Sequence, residues 1–181
     1  TDALSFDFHL PLMSLPGIFE DSLETIPKTV PYLGNPSPSA QPPRKVGLVW
    51  AGSGSQPLDR RSIPATDLAP LLEAPVEWHS LQCGQTAPGS LYDHSSELTD
   101  FAATAELIQT LDLVISVDTA VAHLAGALGK PVWILLSPAP DWRWGHEGST
   151  SLWYPTAQLY RRAPGQTWAQ LLKSLSQKLG T

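Results

Sequence analysis

The sequence predicts an α/β protein, a Rossmann-like open parallel sheet with helices on both faces. Three observations predict it. Aliphatic and β-branched runs recur at 46–50, 76–81, 113–117 and 132–136, and runs without polar alternation read as strands buried on both faces. Amphipathic helical stripes lie between them. Finally, residues 111–136 read strand, helix, strand with almost no connecting chain, and such a βαβ unit has parallel strands. Repeated βα alternation then favours one doubly wound sheet.

Residues 1–34 precede this pattern. Phe6, Phe8, Leu10 and Leu12 alternate with Asp7, His9 and Pro11, a half-buried strand pattern interrupted by proline. A short helix is expected near 19–25. Residues 35–44 hold four prolines and read as a semi-rigid extended linker.

The main domain, residues 45–181, opens with the buried strand Val46, Gly47, Leu48, Val49, Trp50. It enters the glycine-rich loop Ala51, Gly52, Ser53, Gly54, Ser55 and a polar stretch with Asp59, Arg60 and Arg61. Ser62, Ile63 and Pro64 open a helix with the stripe Leu68, Leu71, Leu72. Proline fits a first turn, where its missing N–H would have no partner. Pro75 closes that helix, 76–81 is the second strand, and 82–100 is a long polar loop. Residues 101–110 form a helix with the stripe Phe101, Ala105, Ile108.

The strand 113–117 runs into Asp118 and Thr119, side chains able to cap a helix. Ala120, Val121, Leu124, Ala125 and Leu128 give that helix its stripe. Gly129 ends it and Pro131 keeps it from resuming. After the strand 132–136 comes an aromatic loop at 138–155 with Trp142, Trp144, Trp153 and Tyr154. A short strand at 158–161 and an amphipathic helix at 166–179, stripe Trp168, Leu171, Leu172, Leu175, Leu179, complete the chain.

Composition narrows the function. The 17 acidic and 11 basic residues give a net charge of −6, which argues against nucleic acid or an anionic membrane as partner. A small anion needs only a few local donors, so it stays in play. One cysteine, Cys83, excludes an internal disulfide. No apolar run is long enough to span a membrane, no signal peptide is visible, and a cytoplasmic location is expected. The histidines are scattered without metal-ligand spacing, so neither metal nor cofactor is expected. No serine-hydrolase elbow is present.

Three places carry candidate chemistry. Gly52, Ser53 and Gly54 can turn backbone N–H groups toward a phosphate, or can be a plain flexible turn. Arg60 and Arg61 can add phosphate-binding charge, or can be a solvated pair. Asp118 and Thr119, with His123 one turn on, can cap a helix or frame an anion at its N-terminus. The segment Asp141, Trp142, Arg143, Trp144 can stack on a sugar or base, or can cover a sheet edge. The incomplete glycine fingerprint disfavours a nicotinamide-dependent oxidoreductase.

Asp112 to Pro131, with Asp118, Thr119, Ala120, Val121, Ala122, His123, Leu124, Ala125 in order, resembles the donor-site motif of glycosyltransferase family 9, which includes heptosyltransferases. It is more similar still to the glycosyltransferase-like region at the C-terminus of bacterial tetratricopeptide-repeat proteins. There the motif is followed by Asp-Trp-Arg-Trp and Trp-Tyr-Pro, as at 141–144 and 153–155 here. The segments 47–52, 61–64 and 80–82 also resemble that region, and 11–16 and 30–33 resemble the tail of the domain before it.

The resemblance implies the C-terminal half of a GT-B fold, with residues 1–34 as a remnant of the N-terminal half. It implies a nucleotide-diphosphate sugar as ligand and direct displacement at the anomeric carbon. Carried over, the diphosphate sits at Asp118, Thr119, Ala120, Val121 and His123, with Gly52 and Ser53 facing it. Arg60 or Arg61 stands in for a phosphate-holding lysine of some relatives. Gln82 lies toward the base or ribose, and Trp142 and Arg143 toward the sugar. Ala120 departs from the heptosyltransferase glycine. The acceptor site and general base are expected outside this chain, so transfer by it alone is not. The alternative reading is a non-catalytic interaction module attached to tetratricopeptide repeats, pairing with protein or itself through residues 1–34 or the tryptophan-rich loop.

Overall fold

The computed structural model describes residues 7–35, 39–40, 42–53, 59–89 and 91–180. Phe6, Pro36, Pro38, Gly54 and Ser55, on which some expectations fell, lie outside the described residues.

Six strands form one sheet: β1 Lys45–Val49, β2 Glu77–Ser80, β3 Tyr92–Asp93, β4 Leu113–Val117, β5 Val132–Leu136 and β6 Ala157–Arg161. Their order is β3-β2-β1-β4-β5-β6, and every pairing is parallel. The sheet therefore grows outward in both directions from β1 and β4. Between those two strands the winding reverses, which opens a crevice above their carboxyl ends.

The helices are α1 Leu15–Ile18, α2 Ala69–Leu72, α3 Phe101–Gln109, α4 Ala120–Ala127 and α5 Trp168–Leu179. α2 and α5 cover one face, where Leu48, Leu68, Leu71, Ile115, Leu172 and Leu175 pack. α3 and α4 cover the other, where Ile108, Val114, Ala122, Ala125, Ile134 and Leu136 pack. This double cover is why the strands read as continuous apolar runs. Gly47 interrupts β1 because a side chain there would meet Leu111 and Leu81 within 2.8 Å.

Helix starts are individually chosen. Asp100 accepts from the Ala103 N–H at 2.8 Å and caps α3. Thr167 and Gln170 form a reciprocal capping box on α5. α4 begins at Thr119 without any side-chain cap. Gly129, at φ +71°, ends it.

Several expectations are corrected. The alternation at 8–12 is not a strand; Leu12–Ser14 is a 3-10 turn that leads into α1. Pro16 suits the first turn of that helix, and Phe8, Leu12 and Met13 remain exposed. The helix expected at 19–25 is instead α1, which stops at Ile18; Glu20 then takes φ 54°. The helix after Pro64 divides into a 3-10 turn, Ala65–Leu68, and α2. Pro70, which lacks an N–H, sits at the start of α2 and forces that division. The long loop 82–100 contains the edge strand β3.

Among the described residues no helix is long and apolar enough to cross a membrane.

Candidate functional site

The crevice at the switch point is walled by the segment after β1, the segment after β2 and the start of α4. Its inner part, a cleft of about 330 Å³, is lined by Gly52, Ser53, Arg61, Gln82, Cys83, Thr119, Ala120 and Val121 among others. An adjoining part of about 340 Å³ is lined by Asp59, Arg60, Arg61, Asp118 and Asp141 with Ser137, Ala139 and Pro140. Arg61 borders both.

The floor is the first turn of α4. Thr119 is its N-cap residue, in extended conformation, and its hydroxyl lies 3.0 Å from Ser116 Oγ. Ser116 Oγ donates to the Val117 carbonyl at 2.7 Å, so the proton between the two hydroxyls belongs to Thr119. The side chain that could cap the helix is thus turned toward β4. The backbone N–H groups of Ala122 and His123 both return to the Thr119 carbonyl. Those of Ala120 and Val121 precede the first intrahelical bond, and Ala120 is exposed. Such a turn presents unpaired donors and the positive end of the helix dipole to the cleft.

The residues that leave β1, Trp50 to Gly52, are each held by a side chain. Gln82 is buried, and its Oε1 accepts from the Trp50 and Ala51 N–H groups at 3.2 and 2.9 Å. Its Nε2 donates to the Cys83 carbonyl at 3.0 Å. Gly52 N–H donates to Ser62 Oγ at 3.0 Å, and Ser62 donates to Asp59 Oδ2 at 2.8 Å. A side chain at position 52 would strike the Arg61 guanidinium and Asp59 within 2.9 Å.

Asp59 also accepts from the Arg61 backbone N–H at 2.9 Å and from Arg61 Nε at 3.2 Å. Burial alone would raise the Asp59 carboxyl's pKa. Its bonds from Ser62 and Arg61 outweigh that and hold it below the usual carboxylate range. Arg61 Nη1 reaches across the crevice to the Asp118 carbonyl at 3.1 Å. Arg60 is exposed at the rim.

His123 stands behind Asp118. Its Nε2 is 3.8 Å from Asp118 Oδ1 and its Nδ1 is 3.0 Å from the Tyr154 hydroxyl. Its ring stacks on Trp144 at 5.0 Å. Burial lowers its pKa, against the pull of Asp118, so its neutral form is favoured. Burial pushes the Tyr154 hydroxyl upward, with Tyr32 adding to the effect, so it stays protonated.

The aromatic loop follows the edge-covering reading. It covers the sheet edge: Leu159 N–H donates to the Ser149 carbonyl, and Arg161 donates to the carbonyls of Trp144, Gly145, Glu147 and Gly148. Trp144 is buried. Trp142 stays 62 % exposed, with Arg143 stacked on it at 4.8 Å and tied to Asp141 at 2.8 Å.

The structure therefore brings Gly52, Ser53, Arg60, Arg61, Gln82, Asp118, Thr119, Ala120 and Val121 around one crevice. His123 lies just behind it, and Asp141 brings the Trp142–Arg143 segment to its rim. Sequence reasoning missed Asp59 and Ser62 as the braces of the glycine loop. Their spacing around Arg61 was visible but implies no geometry. It also missed the embrace of His123 by Trp144 and Tyr154, which only the tertiary fold creates. Among the described residues no group of three or more histidine, cysteine or carboxylate side chains is arranged to hold a metal ion.

Comparison with known proteins bears on this crevice. Residues 97–177 match the family model of glycosyltransferase family 9 (heptosyltransferase). No curated protein matches the chain significantly. Among solved structures the fold is similar to that of the glycosyl transferase family 9 protein from Veillonella parvula DSM 2008, with a TM-score of 0.54 and 10 % identity. The match covers 92 % of this chain and 48 % of that one. The chain thus spans about half the length of that protein.

Proposed function

We propose that the chain is the donor-binding half of a glycosyltransferase and holds a nucleotide-diphosphate sugar in the crevice between β1 and β4. The observation that carries this reading is the open first turn of α4. α3 and α5 are capped by side chains, whereas α4 starts uncapped at the switch point with Arg61 across from it. An uncapped turn facing an arginine suits a diphosphate.

In this reading the N–H groups of Thr119, Ala120 and Val121 and the Arg61 guanidinium hold the two phosphates. Gly52 and Ser53 close the site from the β1 side. The base lies along Leu81, Gln82 and Cys83, and the sugar toward Asp141, Trp142 and Arg143. Transfer would proceed by displacement at the anomeric carbon. As the bond to the diphosphate breaks, negative charge grows on its oxygens, where the helix dipole and Arg61 are already oriented. In this reading the acceptor site and general base belong to an N-terminal domain of GT-B type, of which residues 1–34 are the end. The match of residues 97–177 to a glycosyltransferase family supports the assignment.

Calorimetric titration with UDP, ADP and GDP tests it. One of the three is expected to bind, and Arg61→Met to bind it more weakly. No heat from any of them at millimolar concentration, in chain and variant alike, would overturn the reading.

A second reading has its own observation. Phe8, Leu12, Met13, Ile18, Phe19 and Leu23 are each at least 60 % exposed. A non-catalytic interaction module, carried by tetratricopeptide repeats, would bury them against protein. Self-association with no nucleotide binding would favour it over the first.

A further inference from the structure

A second constellation lies at the far edge of the sheet. Glu77 Oε1 is 2.9 Å from His79 Nε2, His79 Nδ1 is 2.9 Å from His94 Nε2, and His94 Nδ1 is 2.8 Å from Glu97 Oε1. The two histidine rings have centroids 5.2 Å apart and planes within 19°. That separation equals the N···N contact plus two ring radii, so the rings meet edge to edge, as an in-plane N–H···N bond requires. His79 is 8 % exposed.

Counting protons fixes the charge of this row. An ionised carboxylate only accepts, and a neutral imidazole carries one N–H. Three contacts need three ring protons, and two neutral rings supply two. A fourth proton would set N–H against N–H at 2.9 Å. Only the singly charged pair completes the row. Burial, with the neighbouring His94 charge adding to it, lowers the pKa of His79 against the pull of Glu77.

All charged groups facing the pair fit this state. Lys45 of β1 stands 3.9 Å from Glu77 and opposes charge on His79. Tyr92 of β3 stacks on the His79 ring at 5.2 Å. Asp93 and Glu97 flank His94.

We propose that His79 and His94 share one imidazolium proton, and that this proton clips the edge strand β3 onto β2. β3 has only two residues, so its pairing to β2 is short. The segment joining the two strands carries Gln82 and Cys83 of the crevice wall, and Gln85, which accepts from Trp50 Nε1 at 2.9 Å. The clip is a pH-sensitive anchor for that wall. It stands independently of what the crevice binds.

Ring-nitrogen NMR of the isotope-labelled chain from about pH 4 to pH 9, spanning the histidine range, tests it. The pair is expected to titrate in two coupled steps, with three ring protons between them. Amide protection factors in β3, observed exchange corrected for the intrinsic rate at each pH, are expected to be highest in that interval and about tenfold lower outside it, equivalent to ~1.4 kcal/mol. His94→Gln should abolish that pH dependence while circular dichroism stays unchanged. Two independent single-site titrations, or exchange in β3 indifferent to the pair's protonation, would overturn the proposal. If the variant does not fold, the titration of the unaltered chain decides alone.

Discussion

Arg61 donates from Nη1 to the main-chain carbonyl of Asp118 at 3.1 Å, and this bond spans the switch point from the loop after β1 to the end of β4. The same guanidinium is steadied by Asp59 through Nε. A forked cation held on one side keeps its remaining donors aimed with little entropy left to lose. Arg61→Met keeps the stem and removes the fork. Affinity for a nucleoside diphosphate should fall about ten- to a hundredfold, the worth of a charge-assisted hydrogen bond. Arg60→Met should have a smaller effect that fades with added salt, because Arg60 is exposed at the rim. Calorimetry at two ionic strengths separates them. Equal losses would remove Arg61 from the phosphate site.

Gly126 lies on the buried side of α4, and a side chain there would press into the Tyr154 ring, with Cδ1 at 2.6 Å. Helix propensity alone says Gly126→Ala stabilises by up to ~1 kcal/mol. Overpacking says it destabilises by about 1–3 kcal/mol. Packing should win, because the Tyr154 ring is confined between α4 and Trp144 and its hydroxyl holds His123. The urea midpoint should drop. A rise would mean that the ring moves aside at no cost.

Much of this fold was legible because the strands are buried on both faces, and apolar runs such as 113–117 and 132–136 have no other reading. Proline and glycine marked the ends of α2 and α4. The alternation at 8–12 misled because period-two patterning needs a neighbouring strand to matter, and Pro11 and Pro16 suit a tight turn as well. β3 was invisible: two residues carry no period, and its position depends on His79 and His94 meeting across strands. At the crevice, the sequence showed which residue types stand after β1 and β4. It did not show that Thr119 turns its hydroxyl to Ser116, or that Asp59 and Ser62 brace Gly52. Those relations join elements that only folding brings together.

Asp112 anchors the approach to β1. Its carboxylate accepts from the Ala40 N–H at 2.7 Å and from those of Arg44 and Lys45 at 2.9 Å. Burial would raise its pKa, but these bonds and the nearby Lys130 charge hold it below the usual carboxylate range. The unfolded chain therefore takes up this proton first as pH falls. The stabilisation is complete above ~3.9, the ordinary aspartate value, and is lost as pH drops through the lower folded value. Asp112→Asn puts an amide against three donors. It should cost about 1–3 kcal/mol at neutral pH and flatten the acid limb of the stability profile. Urea unfolding at several pH values measures both. Parallel profiles for the two proteins would dissociate Asp112 from acid stability.

The strongest test of the α4 site sets stability against binding. Thr119 caps nothing, since its hydroxyl is committed to Ser116. Thr119→Ala should thus cost less than the ~1 kcal/mol of a typical lost cap. Thr119→Asp should move stability and binding in opposite directions. Its carboxylate can accept from the open N–H groups and favourably oppose the helix dipole, for a gain of about 0.5–1 kcal/mol. In doing so it occupies the donors proposed for the diphosphate and adds negative charge beside Asp118. Nucleoside diphosphate affinity should fall more than about tenfold while the thermal midpoint holds or rises. If the start of α4 were only structural, nucleotide binding would be indifferent to this charge. Calorimetry and thermal unfolding on the same variant measure both, and unchanged affinity beside a raised midpoint would place the anion elsewhere.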